Sequence, residues 1–151
     1  MAKKPKGVQY YEGIGRRKTA VARVRLYLAT KEKVEVSGGT QIAKGEIYID
    51  ASPIDKVYPN AADQALYQKP LALTENADRF AISIHVAGGG KAGQLVAITH
   101  GMSRALEKID RDAYRPILKK EGLLTRDARE RQRRRVGTGG KARRQKQSPK
   151  R

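Results

Sequence analysis

The run Gly88-Gly89-Gly90-Lys91-Ala92-Gly93 is the strongest candidate for chemistry in this chain. Gly88, Gly90 and Gly93 satisfy G-x-G-x-x-G, after an apolar alternating stretch and before a helical one. A dinucleotide fingerprint requires that setting. It also requires an acid about twenty residues on, at the end of a second parallel strand. Here Asp110 and Asp112 fall between two helical stretches instead, and three consecutive glycines meet the spacing easily. The same residues suit a plainer anion site. Gly89 and Gly90 permit close backbone approach, a helix N-terminus presents unbonded N–H groups, and Lys91 adds a charge suited to a nucleic-acid phosphate. A third use of such glycines is tight strand–helix packing alone.

A second anion candidate is Gly13-Ile14-Gly15-Arg16-Arg17-Lys18-Thr19. Arg16, Arg17 and Lys18 on a turn between glycines would reach several phosphates from one platform. The plainer alternative is an exposed turn whose charges protect a sheet edge. His100 would be a general base only beside a nucleophile and an orienting carboxylate, and the sequence offers neither. Contact with RNA, together with Arg104, or a satisfied surface histidine suits it better. The carboxylates show no paired spacing, so no catalytic residue is assigned. No cysteine is present, and His85 and His100 are too few for a zinc site. No cofactor or metal is expected.

These residues need elements to hold them. Ala22, Val24, Leu26 and Leu28 alternate with Arg23, Arg25 and Tyr27, which predicts a strand over Ala20 to Leu28 with the second set facing outward. Val8 to Ile14 is expected to pair with it through a turn at Gly15–Lys18. Short strands are predicted at Val34 and Val36, stopped by Gly38-Gly39, and at Ile47 and Ile49. A stronger strand runs from Arg79 to Val86, with Phe80, Ile82, Ile84 and Val86 on one face and His85 outward. Asn60 caps a helix over Ala61–Lys69 that Pro70 should end. The clearest helix spans Gly93 to Ile109. Its apolar face holds Leu95, Ile98, Met102, Ala105, Leu106 and Ile109, and a polar stripe carries His100, Arg104 and Lys108. A shorter helix lies within Asp112–Glu121, with Gly122 as its C-cap. The order predicts an α+β fold: a small, mostly antiparallel sheet backed by helices.

Charge divides the 151 residues. The chain carries 33 Lys and Arg against 15 acids, a formal net charge of +18. From Thr125 to Arg151 there are twelve cations, two acids and almost no apolar side chain. Such a segment buries too little to offset its ordering entropy and reads as an arm for polyanions. The expected organisation is a basic N-terminal extension over 1–7, a nearly charge-balanced globular domain over 8–124, and an extended basic arm over 125–151. Nucleic acid fits better than a membrane, because neither arm has an amphipathic apolar face. The N-terminus lacks the apolar core of a signal peptide, and no apolar run is long enough to span a bilayer. The chain reads as cytoplasmic.

Four segments resemble the bacterial form of the ninth protein of the small ribosomal subunit. They are Gly13 through Val24; Gly88-Gly89-Gly90 with Gly93-Gln94 and Ala97-Ile98-Thr99-His100-Gly101; Arg115-Pro116 with Gly122 through Asp127; and Gly140-Lys141-Ala142-Arg143-Arg144. In order and spacing they cover nearly the whole chain, leaving the region around Gly38–Asn60 loosely matched.

The resemblance implies a domain like the second domain of the fifth small-subunit protein, with a left-handed β-α-β crossover. It implies a place in the subunit head on the 3′ major domain of the ribosomal RNA, beside other head proteins, and no enzymatic activity. Threading RNA contacts are expected from Arg126, Arg129, Arg131, Arg133, Arg134, Arg135, Lys141, Arg143, Arg144 and Lys146. Lys150 and Arg151 are expected to approach the anticodon stem–loop of peptidyl-site tRNA. The family's usual terminal aromatic is missing, and Pro149 precedes the last pair, which stiffens the chain but keeps its charge. Two rival functions are a free DNA-compacting protein and a nucleotide-dependent enzyme using the Gly88–Gly93 loop.

Overall fold

The computed structural model describes residues 9–28, 33–36 and 40–133. The expected N-terminal extension, the Gly38-Gly39 stop and the arm beyond residue 133 lie outside these residues. So do the candidate contacts Arg134, Arg135, Lys141, Arg143, Arg144, Lys146, Lys150 and Arg151. The elements run β1 (Tyr10–Arg17), β2 (Ala20–Leu28), β3 (Lys33–Val36), β4 (Thr40–Ala43), β5 (Ile47–Ile49), β6 (Ser52–Pro53), α1 (Ile54–Val57), α2 (Ala61–Leu73), β7 (Phe80–Ala87), α3 (Lys91–Ile109) and α4 (Arg111–Lys120). The five-stranded sheet has the order β1-β2-β7-β5-β6, and β3 and β4 form a separate hairpin. Every pairing is antiparallel except β5 with β7, which are parallel neighbours joined through α1 and α2. The fold is the α+β sheet-and-helix arrangement that the residue pattern predicts.

The main core lies between one sheet face and the helices. Val24, Leu26, Phe80, Ile82 and Ile84 meet Leu95, Ile98, Met102 and Leu106, all buried. Period-two alternation on the strands and helical spacing on α3 therefore point at the same volume. Burying one such aliphatic side chain is worth about 1.5–3 kcal/mol, so this layer positions everything attached to it. Tyr27 departs from expectation. It is 2% exposed, packed with Val34, Val36, Ile42 and Ala81 beneath the β3–β4 hairpin, which covers part of the sheet's second face.

Three other expectations are corrected. The hairpin turn is Lys18-Thr19, and Gly15 pairs with Ala22 inside the β1–β2 ladder. Helix α3 begins two residues before Gly93. Pro70 does not end α2, which continues to Leu73. A proline removes the N–H that would bond the carbonyl four residues back. The Thr99 hydroxyl of α3 lies 3.3 Å from that carbonyl, of Leu66, and 3.0 Å from Leu95 O in its own helix, so its one proton is shared between the two. At the end of α4, Gly122 takes φ +70°. Its N–H donates to Lys119 O and the Leu123 N–H donates to Leu118 O, a Schellman closure that turns Leu123 and Leu124 back onto the core.

The closest element contact is backbone on backbone. A Cβ built on Gly13 would lie 2.2 Å from Gly101 O, and one on Gly15 would lie 1.9 Å from Ala97 O. Gly101 returns the requirement, since its own Cβ would sit 2.8 Å from a Val24 methyl. Neither backbone can yield without separating β1 from α3. Gly15→Ala is therefore expected to destabilise the fold by about 3 kcal/mol, read as a lowered urea midpoint with an unchanged m-value.

Candidate nucleic-acid interface

The close approach brings the polar stripe of α3 to the outer edge of β1, which no other strand among the described residues covers. Lys108 Nζ donates to Glu12 O at 2.7 Å, and Arg104 Nη1 donates to Ile14 O at 2.7 Å. One further turn back, the Arg16 N–H donates to His100 Nδ1 at 3.4 Å. Three side chains at four-residue spacing thus satisfy alternate residues of an edge strand, which also blunts that edge against pairing with another chain. The Arg104 guanidinium keeps donors beyond the one it uses here. Arg16, Arg104, Lys108 and Arg126 surround a shallow groove that, among the described residues, has Glu12 as its one acid.

The two glycine motifs, some seventy residues apart in sequence, are neighbours. Gly88 and Gly89 take φ +71° and +69°. A Cβ on Gly88 would meet Thr19 O at 2.6 Å, and one on Gly89 would meet the Ala20 Cβ at 2.8 Å. These two glycines let the loop fold onto the β1–β2 hairpin. Gly90 differs: a Cβ there meets nothing within 4 Å. It stands at the start of α3, where no side chain caps the helix and no acid occupies the first turn. Lys91 follows, exposed. A helix N-terminus of this kind, followed by Lys91 and next to the hairpin tip, favours an anion.

The dinucleotide reading fails on topology. After β7 and α3 the chain enters α4, and no second parallel strand follows among the described residues. Asp110 caps α4, accepting from the Ala113 N–H at 3.0 Å. Among the described residues no group of His, Asp and Glu is arranged to hold a metal ion.

The start of the C-terminal arm joins the same surface. Arg17, mostly covered, bonds backward into it: Nη2 lies 3.1 Å from Asp127 Oδ2, and Nη1 donates to Arg129 O at 2.6 Å. Of the RNA contacts expected from sequence, Arg16, Lys18, Gly89, Gly90, Lys91, Arg104, Arg126, Arg129, Arg131 and Arg133 are exposed, while Arg17 is partly buried. Lys108 belongs with this set, and its place at the end of the stripe was the sequence signal for it. Asp127 carried no such signal beyond being an acid within a basic run.

His100 does not sit on an open stripe. The residue is 9% exposed, its Nδ1 accepting from the Arg16 N–H and the Leu124 backbone lying beside the ring. Because Nδ1 accepts, the neutral ring carries its proton on Nε2. Burial first, then the nearby Arg104 and Arg126 charges, push its pKa below the ordinary value of 6.5. The unfolded chain therefore takes up a proton at His100 near pH 6.5, whereas the folded chain does so only at lower pH. Stability from this group is complete above that pH and is lost as pH falls through the gap between the two values. Urea midpoints of the wild type are expected to fall more between pH 7.5 and 5.5 than those of H100Q, with His85 common to both.

Residues 15–151 match the family model described as ribosomal protein S9/S16. That span takes in the end of the first strand, the hairpin tip, the triple-glycine loop, both long packed helices and the whole basic C-terminal stretch. A cationic surface built on a small α+β body, together with this match over most of the chain, places the protein: it belongs to the ribosomal protein S9/S16 family, as a component of the small ribosomal subunit.

Proposed function

We propose that the chain is a structural constituent of the subunit head that binds the 3′ major domain of the ribosomal RNA through one continuous basic surface. The observation that carries this reading is the convergence of the hairpin tip, the triple-glycine loop and the arm's first residues, linked by the Thr19–Gly88 and Arg17–Asp127 contacts. Arg16, Lys18, Lys91, Arg104, Arg126, Arg129, Arg131 and Arg133 contact phosphates there, with Gly90 admitting the RNA backbone to the start of α3 and Gly89 holding the loop against the hairpin beside it. Arg17 and His100 serve by holding these groups in place. From Arg134 to Lys146 the arm's cations order along RNA, releasing counterions and allowing helices that repel one another to pack. The protein works on the cytoplasmic ribosome among other head proteins, without catalytic chemistry or a cofactor. No helix among the described residues is long and apolar enough to cross a membrane.

In a sucrose gradient the cellular protein is expected to run with the small subunit. Sedimentation apart from ribosomes with stoichiometric duplex DNA would favour a DNA-compacting protein instead. Against a transcript of the 3′ major domain, Arg16→Ala and Lys91→Ala should each weaken binding. Each should also reduce the slope of log affinity on log salt by about one.

The final pair, Lys150 and Arg151, is proposed to attract the phosphates of peptidyl-site tRNA. Removing both residues should lower tRNA retention at that site at moderate salt, while the yield of assembled subunits stays the same. Filter binding on purified ribosomes measures the first, and gradient profiles the second.

A further inference from the structure

The arm has twelve cations and only two acids, one of which is Asp127. An acid in a segment meant for phosphates weakens the attraction, so its presence calls for another role. Its carboxylate is saturated with partners. Oδ1 accepts from both the backbone N–H and Nε of Arg129, each at 3.0 Å, and Oδ2 accepts from Arg129 Nη2 at 2.9 Å. The same Oδ2 lies 3.1 Å from Arg17 Nη2, so one carboxylate joins the arm to strand β1. Arg17 also donates to the carbonyls of Asp127 and Arg129. Hydrogen bonds from Arg129 hold the Asp127 carboxyl below the ordinary carboxylate range, and the Arg17 charge adds to the effect.

The bridge continues a series of attachments. Leu123 and Leu124 pack on the core, with the Leu124 backbone beside His100. Three to five residues later comes the clasp to Arg17. The Arg129 half of the clasp is 88% exposed and adds little to fold stability, while the Arg17 half, at 16% and 28% exposure, ties the root of the arm to a hairpin that the core already holds. What it fixes is the backbone of residues 127–129, and thereby the course on which residues 130–133 leave the body.

Resting on the RNA-binding reading above, we propose that Asp127 is a positioning residue: it pre-orders the root of the arm beside the hairpin tip, so that RNA meets an arm already aimed. Residues ordered in advance do not have to be ordered at the moment of binding.

Electrostatics and positioning predict opposite signs for Asp127→Asn. Removing a negative charge from a polyanion-binding protein should tighten binding, whereas losing the clasp should weaken it. The test uses the full chain and a transcript of the 3′ major domain of small-subunit ribosomal RNA, titrated at several salt concentrations. D127N is expected to bind about tenfold more weakly with the salt slope unchanged, because the phosphate contacts remain. The unfolding midpoint should match the wild type, and D127E should recover most of the affinity. Without RNA, hydrogen exchange at the Arg129 amide should quicken in D127N. Equal or tighter binding by D127N would overturn the proposal, as would weaker binding accompanied by a lower unfolding midpoint, or unaltered exchange at Arg129. A wild-type chain that fails to bind the transcript would refute the RNA-binding reading itself, a result distinct from any of these.

Discussion

Everything at the candidate interface depends on how closely β1 lies against α3. Gly13, Gly15 and Gly101 remove three side chains from this contact, and the backbones then meet with no room for a methyl group. That separation is what lets Lys108, Arg104 and His100 reach around the strand to its outer edge. A wider gap would leave the Glu12 and Ile14 carbonyls to water and would release the cations into unrelated rotamers. Much of the basic surface is thus a rigid by-product of packing. Its charges are presented by side chains that already hold the body together.

The layer architecture was legible in the sequence because its main elements repeat their own periods, whereas β4, β6 and α1 are too short to show one. Val24 and Leu26 alternate on one strand, Phe80, Ile82 and Ile84 on another, and Leu95, Ile98, Met102 and Leu106 recur at helical spacing. What could not be read depends on partners distant in sequence. Gly15 looked like a turn residue because glycine usually is one; only the backbone of α3, more than eighty residues on, makes it a strand residue. Pro70 looked like a helix end because nothing nearby shows that the carbonyl it orphans will lie against the Thr99 hydroxyl of another helix. Tyr27 alternated with arginines and so read as outward, until the β3–β4 hairpin covered it.

The candidate site divides along the same line. Which residues are cationic, and that they cluster at the hairpin and the arm, follows from composition. That the hairpin tip and the triple-glycine loop touch does not follow from composition, since the Thr19–Gly88 and Ala20–Gly89 contacts arise from sheet order. His100 is the sharpest example. A polar residue on a polar stripe suggests exposure, yet the ring is buried, with Nδ1 bonded to the β1 edge and the backbone of Leu124, in the segment that leaves α4, beside it. A histidine so placed acts as a rivet between the body and the beginning of the arm.

The vacancy around Gly90 has a practical side. The chain contains no cysteine, and this glycine has ordinary φ and clear space where a side chain would project. A single thiol introduced there would be the molecule's sole point of attachment for a maleimide dye or a spin label. The probe would stand at the start of α3, where it would compete with an incoming polyanion for the same space and report that competition without a background signal from elsewhere in the protein.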